Sequence, residues 1–321
     1  MSKSCMVSVI IPVFNRANTV VLSIKSVIEQ TYSDWELIVS DDASTDNTKD
    51  TVSRLAKDDE RIKLITSNKN SGVAHARNLA VRNASGKYLA FLDSDDIWMP
   101  GKLEKQVQVM EALGPEWGAS YTGAIVHLIN RKKTIESRPE KSGDLLSDML
   151  KFKVPIWTPT FMVKTVIYRE VGGMDECLRR HQDLDFYRKV AERYKVRALP
   201  EPLSDIFLYT NKRFELAHIR AKEIMFERYW GRTVSIHGPW VASRVWGREW
   251  LVASGCMFRA KNIKLAIHYF IRALKTNPFQ RLDDYARLFL NIIRSFKQLP
   301  EVDDAVTTNK SASIKKTAIG A

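Results

Sequence analysis

The chain is poor in the residues that organise disulfide-rich, fibrous or membrane-spanning proteins. Its three cysteines, Cys5, Cys177 and Cys256, lie far apart and form no CxxC spacing. Neither a disulfide framework nor a cysteine metal site is therefore expected, and a reducing, cytoplasmic setting is. The 14 glycines and 11 prolines are too few for a collagen-like or low-complexity chain. No apolar run approaches the roughly 20 residues that a membrane-spanning helix needs. The apolar start, residues 6–14, is broken by Pro12 and followed by Asn15 without a small-residue cleavage site, so it does not read as a signal peptide. Two nucleotide signatures are missing as well. Pro-Val-Phe-Asn stands where a GxGxxG would follow the first strand, and no GxxxxGK[ST] occurs, which argues against a Rossmann dehydrogenase and a P-loop NTPase.

What is present is a 321-residue chain with 45% apolar composition, enough for two compact units and a sizeable core. Its net charge is +13, unevenly spread. Residues 1–100 carry 12 basic and 13 acidic side chains, a net −1, so the excess falls entirely in residues 101–321. That part is expected to seek an anionic partner. No nucleic-acid motif accompanies the charge, so nucleic acid is not the expected one.

The first hundred residues alternate strand and helix patterns. Residues 7–13 are β-branched and almost continuously apolar, the pattern of a strand buried on both faces of a parallel sheet, and residues 35–39, 62–65 and 88–92 read as further strands. Between them, Val20, Ile24, Val27 and Ile28 recur at helical spacing, and helices are expected over 48–57 and 74–82. The order predicts an α/β fold with an open, doubly wound, mainly parallel sheet, whose ligands sit at the carboxyl ends of strands. Those ends are Phe14-Asn15, Asp41-Asp42 and Asp93–Asp96. Further on, a helix over 102–113, a strand pair over 117–129, an exposed basic loop over 131–145 and a helix from about 183 to 192 are expected.

The carboxylates of Asp93, Asp95 and Asp96 crowd one strand end and repel one another unless a cation or a donor-rich site neutralises them. Asp93 and Asp95, two residues apart, suit Mg²⁺ or Mn²⁺. The competing reading is an Asp-rich turn that caps the next helix. After the second strand, Ser44, Thr45 and Asp46 read as helix caps, whereas Asp42 is placed to accept hydrogen bonds from a base or ribose.

Five segments stand in order: Val7-Ser-Val-Ile-Ile-Pro-Val-Phe-Asn15, Ser26-Val-Ile-Glu-Gln-Thr-Tyr32, Glu36 to Thr48, Gly72-Val-Ala-His-Ala-Arg-Asn78 and Phe91-Leu-Asp-Ser-Asp-Asp96. Together they resemble the nucleotide-sugar domain of the family 2 inverting glycosyltransferases, over residues 6 to about 210. The resemblance implies a GT-A fold, with Pro12, Phe14 and Asn15 at the base, Asp42 recognising it, and Arg77 close to the nucleotide. It makes Asp93 and Asp95 the DxD motif, Asp95 the metal ligand with Asp93 beside it, and Asp93 or Ser94 near the ribose. Ala43 stands where the family usually has Gly, which implies a backbone there without positive φ. Gly172-Gly-Met-Asp-Glu176 and His181-Gln-Asp-Leu-Asp185 resemble the acceptor half, with Asp183 as catalytic base and Gln182 replacing the usual Glu. On the other reading Asp183 caps a helix and Asp185 faces solvent.

The activity so implied is metal-dependent, inverting transfer of a sugar from a nucleotide-sugar donor, commonly a UDP-sugar, to a hydroxyl of a glycan or lipid-linked oligosaccharide in cell-surface polysaccharide synthesis. The rivals are a degenerate nucleotide-sugar-binding scaffold and another nucleotide-diphosphate enzyme of similar α/β fold; a glycoside hydrolase would also use two carboxylates but would not need a diphosphate-binding layout. Residues 1–214 would form the transferase domain, 215–300 a basic helical region and 301–321 a disordered tail. Arg220, Lys222, Arg228, Arg232, Arg244, Arg248, Arg259, Lys261 and Lys264 accompany Trp230, Trp240, Trp246 and Trp250 in the helical region. Such a pattern suits peripheral docking on an anionic membrane, or equally a helical core with a solvated basic face.

Overall fold

A computed structural model describes residues 5–209 and 216–277, which belong to two compact units dividing after residue 210. The expected helical residues beyond 277 and the expected tail over 301–321 lie outside the described residues.

In the first unit, strands β1 (Val7–Val13), β2 (Trp35–Asp41), β3 (Ile62–Thr66) and β4 (Tyr88–Phe91) are parallel and alternate with helices α1 (Val20–Ile28), α2 (Thr48–Asp58) and α3 (Val73–Arg82). Every residue of β1, β2 and β4 is buried. Sheets covered on both faces have no polar alternation, and these sequences show none. The chain continues through β5 (Ile97–Trp98), α4 (Lys102–Ala112), β6 (Trp117–Leu128), β7 (Lys133–Ser137), α5 (Leu146–Leu150), β8 (Phe161–Lys164), α6 (Thr165–Glu170), α7 (Gln182–Ala191) and β9 (Lys195–Leu208). The sheet order is β3-β2-β1-β4-β8-β6-β9-β5, with β7 pairing off β6. β8 enters antiparallel between β4 and β6, β9 runs parallel to β6, and β5 is antiparallel to β9.

Two local expectations change. The strand pair expected over 117–129 is the single strand β6, and its partner β7 lies inside the stretch expected to be a loop. Four of the five β7 residues are exposed, so no apolar alternation marks it and its register is set by pairing with β6. Where β6 and β9 bulge past each other, a Cβ at Gly123 would lie 2.6 Å from the Ser137 carbonyl and 2.8 Å from those of Pro200 and Glu201. Only glycine fits between the three.

Register brings the strand ends together. Val13 pairs with Asp41 across β1 and β2, and Ile10 with Phe91 across β1 and β4. The polar residues that follow β1, β2 and β4 thus open on one edge of the sheet.

The second unit is helical. α8 (Leu216–Arg259) is broken at Gly238 (φ 78°) and Pro239, and α9 (Ile263–Thr276) packs against it. Proline removes a backbone donor and glycine admits the positive φ, so the chain turns there. Phe226 then meets Trp246 and Trp250 at centroid distances of 5.3 Å. Trp246 and Trp250 are fully buried, Trp230 is half-buried and Trp240 is exposed. Eight of the nine cations singled out in the sequence are exposed; Lys222 is buried and pairs with Glu249. For Trp246 and Trp250 the core reading holds. No described helix is long and apolar enough to cross a membrane.

Candidate active site

At the end of β1, Phe14 is exposed and Asn15 adopts a left-handed conformation, φ 51°. The Asn15 amide donates to Ser44 Oγ at 2.9 Å, and its Oδ1 accepts from the Thr45 amide at 2.8 Å. Asn15 therefore fastens β1 to the loop after β2. Pro12 is buried within β1 opposite Ser40, two residues before Phe14.

In the loop after β2, Ala43 has φ 63°, which corrects the expectation of a negative φ. The chain must reverse there whether or not a Cβ is present, and Asp41 Oδ2 holds the turn by accepting from the Ser44 amide at 3.0 Å. Of the three expected caps only Asp46 bonds the start of α2, through the Thr48 amide at 2.9 Å. Ser44 and Thr45 serve Asn15 instead. Asp42 is buried, and its two oxygens accept from the amides of Ser71 and Gly72 at 2.8 and 2.7 Å. Its structural partner is this loop, and each oxygen keeps one further acceptor site. Gly72 is held at φ 97°, and a Cβ there would meet the Arg179 guanidinium at 2.6 Å. Arg179 Nη1 donates to the Ser71 carbonyl at 2.9 Å.

Arg77, on α3, is buried and donates to Asp93 Oδ1 at 2.5 Å. Burial works against its charge, but Asp93, Asp183 and Tyr187 outweigh that and raise its pKa. Asp93 has a third of its side chain exposed. Burial pushes its carboxyl up, Arg77 pulls it down, and Asp95 and Asp183 push it up again. Asp95 lies 3.9 Å from Arg16 Nε. Ser94 is buried beside them. Asp96 is structural: its Oδ1 accepts from the Phe207 amide at 2.9 Å and its carbonyl from Ser23 Oγ at 2.8 Å, tying the turn to β9 and α1.

The Gly172-Gly173 turn, φ 79° and 66°, is clamped onto α3 by Asn78. Asn78 Oδ1 accepts from Tyr168 Oη at 2.6 Å and the Met174 amide at 3.1 Å, while Nδ2 donates to the Met174 carbonyl at 2.8 Å and Glu176 Oε1 at 2.9 Å. The chain then enters α7 through His181 at φ 60°. Asp183 sits in the first turn of α7 and accepts from the Leu184 amide at 2.9 Å. It shares electrostatic coupling with Arg77, Asp93 and Tyr187. Asp185, which the second reading sent to solvent, is fully buried and pairs with Lys189 at 2.9 Å.

Arg77, Asp93, Asp95 and Asp183 thus converge. Asn78 and Tyr187 were not singled out as site residues. Asn78 lay inside a motif, yet nothing in the sequence showed which distant turn it would hold, and buried Tyr187 reads as core. Arg16 also lay next to a motif without a signal of its own.

Among the described residues no three His, Cys, Asp or Glu side chains are grouped to hold a metal. The acidic pair nevertheless fits a hard cation. Asp93 and Asp183 face one buried guanidinium, Asp93 Oδ1 is taken by Arg77, and burial, with Asp95 and Asp183 adding to it, raises the Asp93 carboxyl. A Mg²⁺ or Mn²⁺ ion held by one or two carboxylates completes its shell with water and substrate phosphate.

The profile of Glycosyl transferase family 2 matches residues 8–171. The chain is 51% identical over 105 residues to the UDP-Glc:alpha-D-GlcNAc-diphosphoundecaprenol beta-1,3-glucosyltransferase WfgD of Escherichia coli. That match covers 33% of this chain and 41% of WfgD, so the chain spans well under two thirds of that relative's length. Among solved structures, S. aureus TarS 1-349 in complex with UDP-GlcNAc has a TM-score of 0.66 at 16% identity, covering 98% of this chain and 92% of that one. Mannosyltransferase PcManGT from Pyrobaculum calidifontis, in complex with GDP-Man and Mn²⁺, has a TM-score of 0.56 at 17% identity, covering 99% and 87%. At such identities the likeness is one of fold, the GT-A glycosyltransferase fold with its helical C-terminal region.

Proposed function

The chain belongs to glycosyl transferase family 2 and is a transferase; from that premise we propose that it moves a sugar, with inversion, from a nucleotide-sugar donor to a hydroxyl of a glycan or lipid-linked oligosaccharide acceptor. The observation that carries this reading is the meeting of Asp183 with the Arg77–Asp93 pair and Asp95 at one sheet edge. A base and a diphosphate site must lie on opposite sides of one anomeric carbon, and the two halves of the first unit bring such groups together.

Asp183 removes the proton of the acceptor hydroxyl as that oxygen attacks the anomeric carbon. The bond to the donor's diphosphate breaks, and one displacement inverts the configuration. Charge develops on the leaving diphosphate, and the buried Arg77 guanidinium, fixed by Asp93, is preorganised to face it. Asp95, with Asp93 beside it, would hold Mg²⁺ or Mn²⁺, which supplies Lewis-acid stabilisation of the same charge. Exposed Phe14 offers a flat apolar face to the base, Asn15 and Asp42 hold the loops that frame it, and Ser94 lies where the ribose would be held. UDP is the favoured nucleotide, and the acceptor that WfgD's name gives, alpha-D-GlcNAc-diphosphoundecaprenol, suggests a lipid-linked acceptor and polysaccharide synthesis. The exposed cations of α8 and α9 suit peripheral docking at the cytoplasmic face of an anionic membrane.

The test is a panel of sugar nucleotides screened by thermal shift with Mn²⁺, followed by nucleoside diphosphate release with candidate acceptors. One donor stabilising the wild type in a metal-dependent way, with the shift lost in Asp95→Ala, supports the reading. Stabilisation without turnover on any acceptor would favour the degenerate scaffold.

A further inference from the structure

At the amino end of β4, the opposite end from Asp93, the first unit has a concave site of about 410 Å³. It lies between the loop that leads into β4 and the turn joining β8 to α6, with Ser85, Lys87, Lys164, Thr165, Val166 and Arg169 among its walls. β4 and β8 are antiparallel with Tyr88 opposite Lys164, and the Thr165 amide donates to the Lys87 carbonyl at 2.9 Å, so the register sets the start of β4 against the turn after β8.

Three cationic residues therefore border one opening, and one of them is neutralised by a salt bridge. Lys87 is paired with Glu111 at 2.6 Å. Arg169 Nη2 donates to the Ala84 carbonyl at 3.2 Å, a neutral partner. Among the described residues neither Lys164 nor Arg169 forms an ion pair. The charges that face Lys164 are Lys87, which opposes its protonation, and Glu111 and Glu116, which favour it; burial and Lys87 prevail and push the ammonium down. Like charges so arranged raise the free energy of the empty site and lower that of an anion-filled one. The hydroxyls of Ser85 and Thr165 donate inward, to Glu36 and to the Gly86 carbonyl, so the cations supply the polar recognition. Val166, two-thirds exposed at the rim, gives an apolar surface beside the charge.

We propose that this opening binds a phosphate or diphosphate group, at a site separate from the one at the carboxyl ends of β1, β2 and β4. The forked guanidinium of Arg169 and the ammonium of Lys164, neither in an ion pair among the described residues, match the several oxygens and the multiple charge of a phosphate better than a single carboxylate. The group comes either free in solution or on a lipid headgroup, and the probes below separate the two. The inference does not rest on the transferase reading, because none of its residues belongs to the Arg77–Asp183 constellation.

The experiment uses the full chain in chelator, which removes metal-dependent binding at the other site. Calorimetric titration with pyrophosphate tests the soluble source, and co-sedimentation with phosphatidylglycerol-containing against purely phosphatidylcholine vesicles tests the lipid one. In at least one arm, the Lys164→Gln, Arg169→Gln double variant is expected to bind at least tenfold more weakly than wild type, while Asp95→Ala binds as wild type does. Val166→Glu places an anion at an exposed rim position without breaking a hydrogen bond, and should weaken the same arm should the double variant not fold. Donor turnover should be unchanged in Val166→Glu. Pyrophosphate dependence assigns the soluble source, and dependence seen only with phosphatidylglycerol vesicles assigns the lipid source. Binding unaffected by both the double variant and Val166→Glu in both arms, or no binding in either, overturns the proposal.

Discussion

The buried Arg77 guanidinium meets the Asp93 carboxylate at 2.5 Å, and both feel the charge of Asp183 some ninety residues further on in sequence. The ion pair is thus shared property of the two halves of the first unit: α3 supplies the cation, the end of β4 the anion, and α7 the third charge.

Arg77→Lys should separate this role from simple charge. A lysine keeps the charge but lacks the forked donor geometry. Breaking a fully buried pair costs about 3–5 kcal/mol. A third of the Asp93 side chain is exposed, so solvent screening reduces the expected loss to about 2 kcal/mol. Urea denaturation reads the stability, and donor titration should show roughly tenfold weaker binding as one charge-assisted bond is lost.

Asp183→Asn removes the proposed base while keeping its size. Turnover should fall by about 10²–10⁴-fold, the usual contribution of a general base, while donor-induced thermal stabilisation persists. Loss of donor binding together with turnover would instead make Asp183 part of the donor site.

Glu36 gives a pH prediction remote from the site. Burial alone would raise its carboxyl, but donors from Lys63, Ser8 and Ser85 outweigh that and hold it at about 2, against an ordinary 4.5. A depressed folded pKa stabilises the protein above the unfolded value, and the gain is lost as pH falls from 4.5 through 2. Glu36→Gln should therefore cost up to about 3 kcal/mol at pH 7, with the gap to wild type closing across that acid window. Denaturation curves at pH 7, 4 and 2.5 check the sign.

Ala43 at φ 63° carries a strain that glycine would not. Left-handed backbone costs an alanine about 1–2 kcal/mol, and the added freedom of an unfolded glycine returns about 0.4–1. Ala43→Gly should raise stability by about 0.5–1 kcal/mol, measurable by calorimetry.

The tryptophans of the second unit should divide by burial. Trp250→Ala empties a core position between Phe226 and Tyr269 and should cost about 3–5 kcal/mol. Trp240→Ala, at an exposed position, should change stability by less than about 0.5 kcal/mol. Helical circular dichroism on heating distinguishes them, and vesicle binding by the Trp240 variant tests the membrane role.

Some elements were open to reading and others were not, for physical reasons. β1, β2 and β4 are buried on both faces, so their whole composition reports their place. β7 is exposed and paired only with β6, so its sequence carries no trace of the strand. The carboxylates at the strand ends were visible because acidic clusters after apolar runs are costly and need a reason. The division of labour among them was not visible. Asp42 and Asp96 resemble Asp93 and Asp95 as residue types, yet both bind backbone amides from segments distant in the chain.

The sequence by itself, then, determined the order of strands and helices over the first hundred residues, because burial period is written within a few residues, and its ordered motifs carried the resemblance to the family. The tertiary structure decided which carboxylate faces a cation and which holds a loop, which tryptophans fill a core, and that Lys87 and Lys164 feel one another's charge. Each of those depends on a partner tens of residues away, and the identity of that partner is fixed only when the chain has closed on itself.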